Sequence, residues 1–170
     1  DTAACQAARK LAPNSVVASS PEDAMRGADI VYLACPPVPR KAYALAAAGQ
    51  GQAVFLEKPL GINVDESCKL VRKLTAAGVP TAVNFTQASG RALTDISKAA
   101  KCGELGDLMG VDIIVTYPQW PRGWQQKADW LRFSDEGGGM TREVISHFIF
   151  LSERIFGAAE ISLGIYRLSR

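Results

Sequence analysis

Three apolar runs in the first half of the chain, residues 29–35, 52–56 and 81–85, show no polar alternation, and a helix-length segment separates each from the next. A strand that is apolar on both sides needs cover on both faces, and parallel strands need a crossover between them. Strand, helix, strand, helix, strand therefore predicts a doubly wound parallel α/β sheet with right-handed connections. Local chemistry marks the boundaries. Pro36 and Pro37 end the first run, and a helix over residues 38–48 closes at Gly49. Asn63 caps a helix over 64–77, with Asp65 and Glu66 at its positive end and Gly78 past its negative end. Upstream, Asp1 caps a helix over 3–11 that Pro13 and Asn14 terminate, and residues 15–18 are a short β-branched run. Ser20, Pro21 and Asp23 then mark another helical start.

Beyond residue 88 the texture changes. Residues 91–100 read as a helix, and Gly103 and Gly106 frame a turn. Residues 108–117 form a longer run with partial alternation, and 119–136 a polar, tryptophan-bearing loop. Gly137, Gly138 and Gly139 introduce a helix over 140–156, stopped by Gly157, and 159–168 looks like a strand. Long strands after a long loop predict a second domain built on a more open sheet. The chain starts inside what reads as a strand-to-helix turn and stops inside a strand-like run, so a piece of something longer is expected.

Composition narrows the function classes. With 19 Lys+Arg against 17 Asp+Glu in 170 residues, the net charge of +2 gives no electrostatic footprint for nucleic acid or an anionic membrane. No apolar run approaches the roughly 18 residues that span a bilayer. Cys5, Cys35, Cys68 and Cys102 form no CxxC pair. That argues against zinc and thioredoxin-like chemistry, and for free buried thiols in a reducing, cytoplasmic setting. One histidine without a nearby cysteine supplies too few ligands for a metal.

In doubly wound sheets, ligands bind outside the carboxyl ends of the strands. Cys35-Pro36-Pro37, Glu57-Lys58-Pro59 and Asn84-Phe85-Thr86 occupy those ends and are expected to converge on one crevice. Lys58 there can donate to a hydroxyl or carbonyl, with partial desolvation lowering its pKa and Pro59 restricting its backbone. The competing reading is an exposed turn with a solvated ion pair. His147 follows Glu143 by four residues on one predicted helix, so the carboxylate can orient the imidazole as a general acid or base. Next to the stripe Val144, Phe148, Leu151, Ile155, the histidine would sit at the edge of the core; a half-buried histidine with a solvated partner is the alternative. The three glycines either bring free N–H groups to a ligand at a helix N-terminus or form a hinge. Trp120, Trp124 and Trp130 either stack on a sugar or nicotinamide or pin the loop. Arg122 and Arg132 either clamp an anion or are solvated. No GxGxxG phosphate-binding turn occurs.

Together these stretches resemble the glucose-fructose oxidoreductase, inositol dehydrogenase and rhizopine-catabolism family, Gfo/Idh/MocA. The matching segments are Asp29-Ile-Val-Tyr-Leu-Ala-Cys-Pro-Pro, Ala44-Leu-Ala-Ala-Ala-Gly, Val54-Phe-Leu-Glu-Lys-Pro-Leu-Gly, Gly78-Val-Pro with Val83-Asn-Phe, Gly103-Glu-Leu-Gly-Asp, and Gly137-Gly-Gly with Ser146-His147. Their order and spacing fit along nearly the whole chain.

The resemblance implies the later part of a Rossmann-type NAD- or NADP-binding domain over residues 1–86. Residues 87–170 would begin a substrate-binding α/β domain with an open, mainly antiparallel sheet. The glycine-rich turn and cofactor-selecting acid would lie upstream. It implies hydride transfer between the nicotinamide and a sugar-like or cyclic polyol substrate, in a homo-oligomer. Lys58 would hold the reacting hydroxyl and touch the cofactor ribose, and His147, backed by Glu143, would take the hydroxyl proton. Pro36, Pro37, Glu57 and Asn84 would line the cofactor side, and Gln87, Trp124 and Trp130 the substrate side. Four positions depart from the family pattern. Glu143 replaces the usual Asp, Arg40 a common histidine, Gln87 a common arginine, and Phe150 an acid. These leave two other readings open: a non-catalytic cofactor-binding regulator, and a redox-neutral NAD-using glycosidase.

Overall fold

The computed structural model describes residues 2–160 and residue 164, and the side chains of Thr2 and Trp124 lie outside that description. The chain divides into two compact units, Asp1–Asn84 and Phe85–Arg170.

In the first unit, α1 (Thr2–Leu11) and α2 (Pro21–Met25) precede β1 (Ile30–Leu33), α3 (Pro37–Gly49), β2 (Ala53–Glu57), α4 (Val64–Ala77) and β3 (Thr81–Asn84). The three strands form one parallel sheet in the order β1-β2-β3. Caps fall where the sequence puts them. The Ser20 hydroxyl accepts from the Asp23 N–H, Pro21 opens α2, and the Asn63 side chain accepts from the Glu66 N–H at 2.8 Å. Asp1, the expected cap of α1, lies outside the described residues. Residues 15–18 form no strand; Val16 is 93% exposed, with no apolar cover to hold an extended segment.

The strands are covered on one face rather than two. Val31 and Leu33 of β1 and Val54 and Leu56 of β2 are buried in a core with Ala44, Ala47 and Ala48 of α3 and Leu70 and Leu74 of α4. Alternate residues therefore point the other way, and Ile30 and Tyr32 are exposed. The helices described after β1 both lie against the same face. The cysteines are free, but only half-buried at Cys5 and Cys35 and exposed at Cys68 and Cys102, which corrects the expectation of buried thiols.

The second unit holds α5 (Arg91–Lys101) and α6 (Ser146–Phe156), a 3-10 turn at Thr86–Ala88, three more such turns at Gly123–Gln125, Asp129–Arg132 and Ser134–Glu136, and one turn of π-helix at Thr141–Ile145 leading into α6. Helix α6 packs against α5 and the Thr86–Ala88 turn, around buried Ala88, Leu131, Val144 and His147. No strand forms among its described residues, so the expected open sheet is not seen. A strand persists only where a neighbour satisfies its N–H and C=O groups. No described segment pairs with 108–117, and most of the expected partner run, 161–163 and 165–168, lies outside the described residues. Among the described residues no helix is long and apolar enough to cross a membrane.

Candidate functional site

Strand register builds the first part of the site. Tyr32 pairs with Phe55 and Glu57 with Asn84, which places Tyr32, Phe55, Glu57 and Asn84 on the sheet face opposite the helical core. The Tyr32 and Phe55 rings stack with centroids 5.0 Å apart. Glu57 Oε1 accepts from both the Tyr32 hydroxyl and Asn84 Nδ2, the latter at 2.7 Å. Donation to that carboxylate, helped by partial burial and by the nearby negative charge, holds the Tyr32 phenol above the ordinary tyrosine range.

Lys58 follows β2 and is buried, at 9% exposure, and the peptide joining it to Pro59 is cis. This removes the alternative of an exposed turn with a solvated ion pair. Arg40, in the first turn of α3, is 1% exposed. Its Nη1 donates to the Glu57 carbonyl at 2.6 Å and to the Pro59 carbonyl. Its Nε (3.1 Å) and Nη2 both donate to the Cys35 carbonyl. The guanidinium thus ties the ends of β1 and β2 together on either side of Lys58. Pro36 is exposed at the adjoining turn, and Pro37 is fully buried beneath it.

The other unit carries the remaining expected site residues. His147 is buried at 9% exposure on α6, two residues past the π-turn that carries half-buried Glu143. A π-turn inserted in a helix commonly marks a functional position. The Phe85 ring meets the imidazole edge-on at 5.7 Å and stacks on Phe150 at 4.1 Å, so Phe150 packs where an acid was expected. Gln87 is exposed on the Thr86–Ala88 turn, which packs on α6.

The glycine segment does not offer a ligand cradle of free amides. The N–H groups of Gly137, Gly138 and Gly139 donate to the carbonyls of Ser134, Phe133 and Leu131 at 3.2, 2.8 and 2.9 Å. A Cβ at Gly138 would stand 2.2 Å from the Trp130 carbonyl oxygen. Gly138 is glycine because the tryptophan loop lies directly on its backbone, whereas Gly137 and Gly139 adopt positive φ, 90° and 110°. Arg142 Nη1 adds a bond to the Ser134 carbonyl at 2.6 Å. Trp130 is half-buried on this loop, and the Trp124 side chain lies outside the described residues. Arg122 lies over the Tyr117 ring at 5.3 Å and donates to buried Gln125.

Among the expected site residues, the structure joins Glu57 to Asn84 directly, and Lys58 follows Glu57 on the chain. His147, Glu143 and the Gln87 turn belong to the second unit. Sequence reasoning did not single out Tyr32, and it noted Arg40 only as a departure. A cation in the first turn of a helix opposes the macrodipole, and that was the available signal for Arg40. Among the described residues no three acidic, cysteine or histidine side chains gather as a metal site.

A parallel sheet whose carboxyl edge carries a buried lysine, a carboxylate and an amide defines a nucleotide-binding type of α/β unit. Residues 2–85 match the family model described as an oxidoreductase family with an NAD-binding Rossmann fold, GFO_IDH_MocA. Residues 2–85 belong to this Gfo/Idh/MocA family. Among solved structures, it is similar to the WlbA dehydrogenase from Bordetella pertussis, described in complex with NADH and UDP-GlcNAcA. That match has 25% identity and a TM-score of 0.76, and covers 92% of this chain and 45% of that one. It is also similar to an inositol dehydrogenase homolog from Azotobacter vinelandii complexed with NAD+. There the identity is 24% and the TM-score 0.67, over 80% of this chain and 37% of the other. The chain thus spans less than half the length of either.

Proposed function

We propose that this chain is part of an NAD(P)-dependent oxidoreductase that moves hydride between a nicotinamide cofactor and a hydroxyl or carbonyl carbon of a sugar-like or cyclic polyol substrate. The observation that carries the reading is buried Lys58 at the carboxyl edge of a sheet within the matched NAD-binding segment. The donor set there suits the cofactor: a cation and an amide for ribose hydroxyls, next to the Pro36 turn that opens α3. When bound, the nicotinamide supplies the hydride acceptor or donor. The inositol and UDP-sugar dehydrogenases among the similar structures support a polyhydroxylated substrate.

In the proposed mechanism Lys58 donates to the reacting hydroxyl and to the cofactor ribose, lowering the cost of deprotonating the hydroxyl. His147 accepts that proton as the carbon gives up hydride, and Glu143 stabilises the resulting imidazolium. Pro36, with Pro37 packed beneath it, Glu57 and Asn84 form the cofactor side. Gln87, Trp124 and Trp130 contact the substrate. Residues 1–86 act as the later part of the cofactor domain and 87–170 as the start of the substrate domain, through which copies of the full-length protein associate.

In the full-length protein, Lys58→Ala should reduce hydride transfer to a panel of sugars and polyols by at least about 100- to 10,000-fold, read by nicotinamide absorbance. Its circular dichroism should match wild type. Undiminished turnover in that variant refutes the reading.

A further inference from the structure

We propose that Arg40 is a positioning residue for Lys58: its guanidinium holds the carbonyls on both sides of the lysine and so sets where the amine points. The proposal rests on the function proposed above and adds a residue to it. Arg40 donates to the carbonyl of Glu57, the residue before Lys58, and to that of Pro59, the residue after it. The Glu57 carbonyl belongs to the peptide plane entering Lys58 and the Pro59 carbonyl to the plane leaving Pro59, so the chain is held at one point on each side of Lys58 and the direction of its Cα–Cβ bond is restricted with it. The same guanidinium holds the Cys35 carbonyl through two nitrogens, which ties the Pro36 turn to this frame.

The location favours this role over a merely structural one. Pairing between β1 and β2 ends at Leu33 and Leu56, so the carbonyls of Cys35 and Pro59 lie past the ladder. A charged fork that satisfies carbonyls of two chain segments at once is a task a planar guanidinium does and an ammonium on a flexible stem does poorly. Helix position and burial both count against arginine here. Its charge opposes the dipole of α3, and at 1% exposure it bears a large desolvation penalty that an apolar side chain of similar volume would avoid. Against those costs stand the bonds it makes to the carbonyls of residues 57 and 59. Displacing a catalytic group by about 1 Å is enough to cost on the order of 100-fold in rate.

The test uses the full-length protein and four variants: Arg40→Met, Arg40→Lys, Lys58→Ala and the Arg40→Met/Lys58→Ala double mutant. Arg40→Met should lower kcat by roughly 100-fold, with the substrate KM and the NADH affinity, read by fluorescence titration, shifted less than about threefold. Arg40→Lys, which keeps the buried cation, should still lose about tenfold in kcat. If Arg40 acts through Lys58, the double mutant should turn over no more slowly than Lys58→Ala. In a crystal structure of Arg40→Lys, the Lys58 amine should be displaced or multiply placed. Wild-type kcat in both Arg40 variants overturns the proposal, as does a further multiplicative loss in the double mutant. Should Arg40→Met not fold, Arg40→Lys decides alone: full kcat with an unmoved Lys58 refutes the role. Undiminished turnover in Lys58→Ala instead refutes the function assigned to the site, whereas loss there with no loss in the Arg40 variants refutes only the role of Arg40.

Discussion

The two units of this chain reach order by different means. In the first, apolar side chains two apart on β1 and β2 close over alanines of α3 and leucines of α4, and the core is a matter of side-chain burial. In the second, α5 has no buried residue, and one close approach is between backbones: Gly138 lies against the carbonyls of Trp130 and Leu131. Side-chain cores tolerate changes of shape by partial repacking, whereas a backbone-on-backbone approach leaves no flexible atom to move. The comparison teaches that an added methyl costs about 1–3 kcal/mol where side chains can shift and more where only backbone lies in its way.

The sharpest way to break that contrast is Gly138→Ala. Its Cβ would meet backbone atoms at 2.2 and 2.6 Å, and we expect a loss of more than about 4 kcal/mol, or a second unit that no longer folds. Gly110→Ala is the control, since nothing lies within 4 Å of its Cβ, and should stay within about 0.5 kcal/mol. Urea denaturation followed by tryptophan fluorescence checks both, because all three tryptophans lie in the second unit. Equal stability of the two variants would sink the backbone-contact argument.

Next in size is Leu56→Ala in the first unit. Leu56 is fully buried at the centre of the core, and truncation should cost about 2–5 kcal/mol, depending on how far the surrounding side chains collapse. Circular dichroism during denaturation would show it; a change below about 1 kcal/mol would mean that this core is not what holds the sheet.

The smallest effect concerns the open face of that sheet. Since the Tyr32 phenol is held above its ordinary range by Glu57, ultraviolet titration should find one tyrosine ionising late, and Glu57→Gln should bring it back. A raised pKa in the folded state means the folded form keeps its proton longer. The stabilisation is therefore complete below the unfolded tyrosine pKa and is lost as pH rises through the folded one. Four tyrosines titrating alike in the wild type would remove the Tyr32–Glu57 bond from the account.

Helix α4 shows how much was legible. Asn63, Asp65, Glu66 and Gly78 bracket residues 64–77, and the helix spans Val64–Ala77. Capping is a local event, decided by groups within three or four residues of one another. Parallel pairing of the three runs followed from the same local signals, because a helix between two strands leaves little choice of direction. The candidate site was legible as positions: strand ends at Cys35, Glu57 and Asn84, and a helical histidine with a carboxylate four residues before it. Its wiring was not. Glu57 reads as an acid at a strand end, on the cofactor side by resemblance, and only register sets it opposite Asn84 and within reach of Tyr32. The triple glycine reads equally as ligand cradle or hinge until the Trp130 loop is seen to lie on it.

By itself, then, the sequence determined which segments are strands and helices in the first unit, their order, and the family to which they belong. Those properties depend on periodicity and on end groups near in the chain. Only the tertiary structure decided which face of the sheet the helices cover, where the amides of the glycine segment go, and that Arg40 reaches carbonyls up to 19 residues away. Each of these is a contact between groups distant in sequence. A buried polar atom takes whichever partner the packing brings within hydrogen-bond range, and nothing in the local residue pattern names that partner in advance.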